Sequence, residues 1–462
     1  MPPQLALLIG AIFVFFAFRS DRKRADSVST DLRWPTLWYL IAASRPFGTW
    51  LVLWNIPLPG GSGDATEGSP VDRNFLVFLT LMGFWILTRR GFNWGATFRN
   101  NPWLTALLAY MAVSIFWSEY SYVSFKRYIK VVGSITMALV VLSEARPRDA
   151  IFTVLRRCLY IHLPMSIIVT RYYREIGVSY DWSGSEQSWQ GISTSKNTLG
   201  QVAMLGVVYF YWEVRRRWPE EKWRSVNFLY LIMALYLLKG AEGSISVTSV
   251  SVCAIALVVF TRIQALRSRP ASVRPFVLTV FSGTVALIVL VLLHSMVTFS
   301  SSSLFGTFIE KFGRDITLTG RTDIWSDAYA ASHNPLLGVG FGGFWIGRLA
   351  NIPWNANMTW ILGQAHSGYV DTYLQLGLVG WFLLAAVVFT TLPRLIDSLK
   401  EDFDLGSFRI TLFVIILFVN ITETTLLRGE HQFWFIFQIV FWLVPAPAPP
   451  GPAGSLRGNF PA

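Results

Sequence analysis

The chain has 462 residues, of which 53% are hydrophobic and only 14% charged, with a mean hydropathy of +0.45. This balance excludes an ordinary soluble domain and points to a membrane-embedded core. The net charge of +12 sits largely in short loops between apolar runs, which argues against nucleic-acid binding and for membrane topology and contact with anionic lipid.

Run length and periodicity predict about 13 hydrophobic segments, with approximate limits 4–18, 35–55, 74–88, 102–118, 129–143, 150–170, 197–213, 226–240, 243–263, 275–297, 368–390, 408–426 and 432–445. The first lacks a basic stretch ahead of it and is followed by Arg22, Lys23 and Arg24. That order fits an anchor with its N-terminus outside better than a signal peptide. The second has Ser44 and Arg45 near its middle, so it is read as re-entrant, surface-lying or spanning, with Arg45 snorkelling to a headgroup. With the loop after the first segment inside, the cytoplasmic loops hold more Lys and Arg than the external ones. Arg215, Arg216, Arg217, Lys222 and Arg224 form the densest internal cluster, and Arg262, Arg267, Arg269 and Arg274 form another.

The predicted fold class is all-α: a polytopic transmembrane helical bundle of about 12–13 spans with one large external loop of short helices. Its expected parts are helices with short loops over 1–297, the external loop over 298–367, further helices over 368–445 and a Pro-rich tail over 446–462. Cys158 and Cys253 lie in apolar runs and read as packing residues, with no disulfide or metal framework implied. The 20 Trp and 16 Tyr suit interfacial belts.

Two segments fall outside under this topology. Arg171 to Lys196 is rich in Tyr, Trp, Ser and Gly, suited to stacking on sugar rings or to a plain interfacial lid. Phe299 to Ala365 is the largest polar piece and too aromatic to read as disordered. Within it Arg314 and Arg321 stand seven residues apart, with Trp325 four further on. Seven residues is two helical turns, so on one helix both guanidinium groups share a face, suited to the two phosphates of a diphosphate or to salt bridges with Asp315 and Asp323. The glycines of NPLLGVGFGGFW, Asn334 to Trp345, read as a tight turn on an aromatic belt rather than a nucleotide loop.

The most informative stretch is Ala365 to Trp381, AHSGYVDTYLQLGLVGW. It sets His366 and Ser367 at the mouth of an apolar run, with Gly377 and Gly380 expected to let that helix approach a neighbour. Imidazole as a class exchanges protons near neutral pH and suits removal of a hydroxyl proton. Lys196 and Asn197 open a span on the same side and could hold phosphate or sugar, or act as an interfacial anchor. Glu423 lies near Arg428 and reads either as a functional group in lipid or as a structural Glu–Arg pair. His162 and His294 read as hydrogen-bonded packing residues.

Together these residues resemble the O-antigen ligase and Wzy-type polysaccharide polymerase family of membrane glycosyltransferases. The family signature is His followed by Asn, Ser or Gln, nine residues, then Gly-x-x-Gly and usually Leu. Here it reads His366, Ser367, nine residues, Gly377, Leu378, Val379 and Gly380, with Trp381 in place of Leu. Gly320 and Arg321 with Trp325, and Asn334, Pro335, Gly338 and Gly340, resemble two further elements ahead of the His. WSEYSYVSFKRYIKVV (Trp117 to Val132) and STSKNTLGQ (Ser193 to Gln201) are similar to two more upstream. Val247 stands where the family often has a basic residue, leaving Lys196, Lys239 or Arg127 to supply that cation.

The resemblance implies transfer of a glycan from an undecaprenyl diphosphate carrier to a hydroxyl of another glycan or lipid-linked sugar, at the periplasmic face of the inner membrane. His366 and Arg321 would be catalytic, and Arg314, Lys196, Asn197, Ser367 and Glu423 substrate-binding. It implies no cofactor and no metal, with membrane lipid, a flippase and a chain-length regulator as candidate partners. Polymerisation of an exopolysaccharide, capsule or O-antigen is the favoured reading. A ligase attaching finished glycan to lipid A core is the alternative within the enzyme class, and a lipid-linked glycan flippase or transporter the alternative outside it. The shared-site mechanism expects His366 and Arg321 within about two helix diameters, roughly 20–25 Å.

Overall fold

A computed structural model describes residues 1–22, 28–58, 69–180, 187–216, 221–241, 245–297, 321–332, 334–346 and 363–445. The chain folds as an all-α bundle, with one short antiparallel pair, β1 (Val178–Tyr180) and β2 (Gln187–Trp189), among the described residues. The first helices are α1 (Pro3–Arg22), α2 (Arg33–Ala43), α3 (Phe47–Leu53), α4 (Pro70–Arg89), α5 (Trp94–Asn100), α6 (Pro102–Val113), α7 (Ser121–Leu142), α8 (Pro147–Tyr172) and α9 (Arg174–Gly177). They are followed by α10 (Lys196–Arg216), α11 (Glu221–Lys239), α12 (Val247–Ala265), α13 (Val273–Val297), α14 (Arg321–Ala331), α15 (Gly368–Glu401), α16 (Phe403–Thr422) and α17 (Gln432–Phe441).

Among the described residues six helices are long and apolar enough to cross a membrane: α4, α8, α12, α13, α15 and α16. Four shorter apolar helices, at Pro3–Arg19, Pro102–Trp117, Val226–Lys239 and Gln432–Phe441, complete the apolar set. Sequence runs that read as further spans are interrupted for visible reasons. The second run breaks at Ser44–Pro46 into α2 and α3. Arg45 does not reach outward as a snorkelling side chain would, because its Nη2 donates to the carbonyl of Ile176 at 2.7 Å. α7 opens with Lys126, Arg127 and Lys130 in its first three turns.

The core is built round α17. All ten of its residues are buried, and at about 1.5 Å per residue it is too short to cross a bilayer alone. Phe437 stacks on Phe441 at 4.0 Å, and Tyr39 of α2 stacks on Phe435 at 5.3 Å. Cys158 and Cys253 are free and buried, and His162 is fully buried with its Nε2 3.0 Å from the carbonyl of Ala43 and 2.9 Å from Ser193 Oγ.

α4 and α7 run side by side in the same direction. Small residues make the seam possible, since a Cβ at Gly133 would fall 2.5 Å from Thr80 Oγ1 and from the Trp38 ring. Beyond their far ends, Arg90 bonds Ser29, Asp31 and Glu144, and Arg89 donates to Asp31 at 2.5 Å. On the same side of the bundle Arg157 donates to Asp21 at 2.7 Å, and Arg148 pairs with Asp402. The opposite end gathers the starts of α7, α10, α15 and α17 and the end of α16, held by Arg127 to Gly342, Lys130 to Glu430 and Asn197 to Glu423.

Candidate active site

His366 is built into a strained turn. Its φ of 52° lies in the left-handed region, which costs a non-glycine residue roughly 1–2 kcal/mol and persists only where neighbours hold it. The neighbours do so on both sides. The amide of Ala365 donates to both carboxylate oxygens of Asp371, at 3.3 and 3.2 Å, and its carbonyl accepts from Trp325 Nε1 at 2.7 Å. The Ser367 carbonyl accepts the amide of Asp371 at 2.9 Å and starts α15.

Asp371 is the organiser of this turn. It is buried at 3% exposure and also accepts from Trp345 Nε1 at 2.5 Å and from the Thr424 hydroxyl. One carboxylate thus joins the His366 turn, the end of the Gly-rich turn and the loop after α16. Sequence reasoning missed it, although an acid at the fourth residue of the 368–390 apolar run was a signal in plain view.

The ring of His366 is one-third exposed. Its Nδ1 lies 3.3 Å from Gln364 Nε2 and 3.8 Å from Glu423 Oε2. Glu423 Oε1 accepts from Asn197 Nδ2 at 2.7 Å, next to Lys196 at the start of α10. Arg428 Nη1 donates to Gln364 Oε1 at 2.5 Å, so the partner found for Arg428 is Gln364, and Glu423 is instead tied to Asn197 and set beside His366. His366, Glu423 and Asn197 therefore meet, with Gln364 and Arg428 as members that sequence reasoning did not assign to the site. The Ser367 hydroxyl is buried and makes no hydrogen bond among the described residues. The same holds for the amide nitrogen of Asn420, whose Oδ1 accepts from the Thr425 and Leu426 amides.

Arg321 is the first residue of α14, and the indole of Trp325 fixes that helix to the His366 turn. Four residues of helix, one indole, a hydrogen bond and a peptide unit put the Arg321 and His366 backbones no more than about 18 Å apart. Arg314 lies outside the described residues, as do His333 and most of the external loop.

The glycines of 334–345 serve the break in α15. Gly377 has φ 62° and ψ −161°, splitting that helix into 368–376 and 378–401. The turn repairs the break from outside. Val339 and Gly340 amides donate to the carbonyls of Leu374 and Gln375 at 3.1 and 3.0 Å, and the carbonyls of Pro335 and Leu336 accept from Leu378 and Val379 at 2.9 and 3.2 Å. The close neighbour of Gly377 is thus this turn, where a Cβ would meet the Leu336 carbonyl oxygen at 2.3 Å, and not another helix as the sequence suggested. Trp381, where Leu is usual, donates its indole N–H to the Tyr369 carbonyl at 2.7 Å. Among the described residues no three His, Cys, Asp or Glu side chains gather as metal ligands would.

An all-α polytopic membrane protein with a His–carboxylate site at one end of the bundle defines the class. Residues 228–385 match the family model described as "Wzy_C: O-Antigen ligase", and over these residues the chain is similar to that family. It is also similar to "Exopolysaccharide production protein ExoQ" of Rhizobium meliloti (strain 1021), 24% identical over 308 residues that cover 65% of this chain and 67% of the relative. The matched range contains Arg321, Trp325, the Gly-rich turn, His366, Ser367, Gly377 and Gly380. Lys196, Asn197 and Glu423 lie outside it, and the fold brings Asn197 against Glu423.

Proposed function

We propose that this chain transfers a glycan from an undecaprenyl-diphosphate carrier to a hydroxyl acceptor at the periplasmic face of the inner membrane. The product would be the growing chain of an exopolysaccharide, capsule or O-antigen. The observation that carries the reading is the convergence of His366, Glu423 and Asn197 on a turn pinned by Trp325, four residues from Arg321. The similarity to ExoQ favours polymerisation, and the O-antigen ligase description of the family model keeps ligation to lipid A core as the second reading.

The acceptor oxygen attacks the anomeric carbon while the bond from that carbon to the carrier diphosphate breaks. The acceptor proton passes to His366, and the electron pair of the broken bond stays with the diphosphate. The Nε2 of His366 makes no hydrogen bond among the described residues and faces the task of base when the proton sits on Nδ1. Glu423, 3.8 Å from Nδ1, would accept a proton there once the Gln364 amide now turned toward that nitrogen gives way, and it offsets the imidazolium charge that follows. Arg321, with Arg314 as helper, stabilises charge growing on the leaving diphosphate. Lys196, Asn197 and Ser367 bind substrate beside them. Arg89, Arg90, Arg148, Arg157 and Arg267 at the other end support an orientation with the His366 end outward.

The test is a deletion strain complemented with wild type, His366→Ala or Arg321→Ala at matched membrane levels, with surface glycan resolved on a gel. Single repeat units in the variants where wild type makes long chains support polymerisation. Long chains retained on the carrier support ligation. Unchanged glycan would overturn both.

A further inference from the structure

Arg428 governs His366 at one remove. Its Nη1 donates to Gln364 Oε1 at 2.5 Å, and Gln364 Nε2 lies 3.3 Å from His366 Nδ1. A guanidinium carries only donors, so it fixes which way the carboxamide faces: the oxygen meets Arg428, and the NH₂ group is left for the imidazole. An NH₂ group facing Nδ1 needs a lone pair there. The proton of the neutral ring then sits on Nε2, because the partner of one ring nitrogen sets the state of the other. Glu423 Oε2, at 3.8 Å from Nδ1, stands beyond hydrogen-bond distance in this arrangement. His366 is thus held with its proton on the nitrogen that a base at the open edge of the ring must leave bare.

The loop after α16 is built to present Arg428. Leu427 takes φ 62°, a left-handed conformation that persists only where neighbours impose it. Before it, Asn420 Oδ1 accepts the amides of Thr425 and Leu426 at 3.4 and 3.2 Å. After it, Gly429 packs on the Lys130 backbone, where a Cβ would lie 2.3 Å from the carbonyl carbon. Arg428 itself is exposed, and its hydrogen-bond partner among the described residues is the neutral Gln364. The acids of its own loop are engaged elsewhere, Glu423 with Asn197 and Glu430 with Lys130 at 2.6 Å. A second cation stands near. Arg127 Nη1 donates to the Gly342 carbonyl at 2.6 Å, and burial first and the Arg428 charge second hold its guanidinium below the ordinary value. An exposed guanidinium on a neutral amide, with another cation within electrostatic reach, suits an anionic oxygen better than the partner it has.

We propose that Arg428 is the contact for an anionic group of the incoming substrate, and that this contact releases Gln364 and switches His366 to the tautomer that can act as a base. The inference rests on the transfer reading above. The anion is a phosphate of the carrier or a carboxylate of a sugar, since both offer the paired oxygens that a guanidinium binds with two parallel hydrogen bonds. With Arg428 so engaged, the carboxamide of Gln364 is free to turn away from Nδ1. One proton leaves Nε2 for solvent at the exposed edge of the ring and one arrives at Nδ1, beside Glu423, so the ring stays neutral. The anion moves this equilibrium because Arg428 binds it better once released from Gln364. The base is thereby readied by the substrate it serves.

The test reads the tautomer directly, by nitrogen NMR of the full chain in lipid bilayers, isotope-labelled at histidine only. His366→Gln identifies the His366 signals among the five histidines. Wild type without ligand should show a protonated Nε2 and a bare Nδ1. Undecaprenyl diphosphate or glucuronate should move the proton to Nδ1. A response to the first alone assigns the anion to the carrier, and a response to the second alone assigns it to an acidic sugar. Arg428→Lys keeps a donor-only partner for Gln364 and should keep the resting tautomer. Arg428→Gln lets the carboxamide turn, and Gln364→Leu removes it, so both should show the Nδ1 proton without ligand. A merely structural Arg428 would leave the tautomer alike in all of them. A proton on Nδ1 in ligand-free wild type, no response to either ligand, or the resting tautomer in Gln364→Leu would each overturn the proposal. The wild-type spectra decide the matter even where a variant folds poorly. If His366→Ala leaves cellular glycan unchanged, the transfer reading fails, while the spectra still report separately on the Arg428–Gln364 link.

Discussion

The indole N–H of Trp325 donates to the carbonyl oxygen of Ala365 at 2.7 Å, across forty residues of sequence. The bond joins the start of α14, where Arg321 sits, to the turn that holds His366. Both partners are fully buried, so neither end of the bond has water as a substitute. Trp325→Phe keeps most of the ring volume and removes the donor. It should cost about 1 kcal/mol of stability and reduce glycan output by more than that loss explains, because the start of α14 loses its link to the His366 turn. Thermal unfolding in detergent and glycan gels at matched membrane levels together check this; unchanged glycan would show that the link is only structural.

Asp371 receives N–H or O–H groups from Trp345, Ala365 and Thr424 on one buried carboxylate. Asp371→Asn replaces one acceptor oxygen by an NH₂ donor, so at least one of those donors loses its partner or faces another donor. The expected cost is about 1–3 kcal/mol, with glycan synthesis falling while the chain still reaches the membrane. Asp371→Ala should be worse on both measures. A variant Asn chain that melts with wild type would mean that the turn is held chiefly by Trp325.

Much of this was legible in the sequence, and the failures have physical causes. The spacing from His366 to Gly377 and Gly380 marked the site because short-range chemistry fixes it. The purpose of Gly377 was hidden, since only the fold brings the 334–345 turn against its backbone. Glu423 and Asn197 were legible as polar groups at span ends. Their meeting with His366 depends on how α10 and α16 pack, which periodicity cannot report. Arg428 was placed with Glu423 because the two are close in sequence, yet the backbone between them carries Leu427 at φ 62° and turns Arg428 toward Gln364.

At Gly377 any side chain meets two obstacles: the positive φ and the Leu336 carbonyl oxygen 2.3 Å from a built Cβ. Gly377→Ala should therefore destabilise by more than about 1–2 kcal/mol. It should also separate the Gly-rich turn from α15, exposing the amides of Leu378 and Val379. Hydrogen exchange over 334–346 and 374–380 should rise in the variant. Exchange at the wild-type rate would mean that the break in α15 does not depend on this contact.

His431 caps α17 by accepting the Phe433 amide on Nδ1 at 3.2 Å, which requires an unprotonated Nδ1. Burial first and the Arg428 guanidinium second hold the ring well below the ordinary histidine value, at about 3, while Glu430 opposes. The sign follows from linkage. Between about pH 6.5 and 3 the unfolded chain binds a proton here that the folded chain does not, so stability from this residue is complete above about pH 6.5 and falls as pH drops. The melting temperature in detergent should fall from pH 7 to pH 5. His431→Asn keeps a capping acceptor and removes the titration, so its melting temperature should fall less over the same range. Parallel declines in wild type and variant would assign the acid sensitivity to other groups and leave the cap without a role in it.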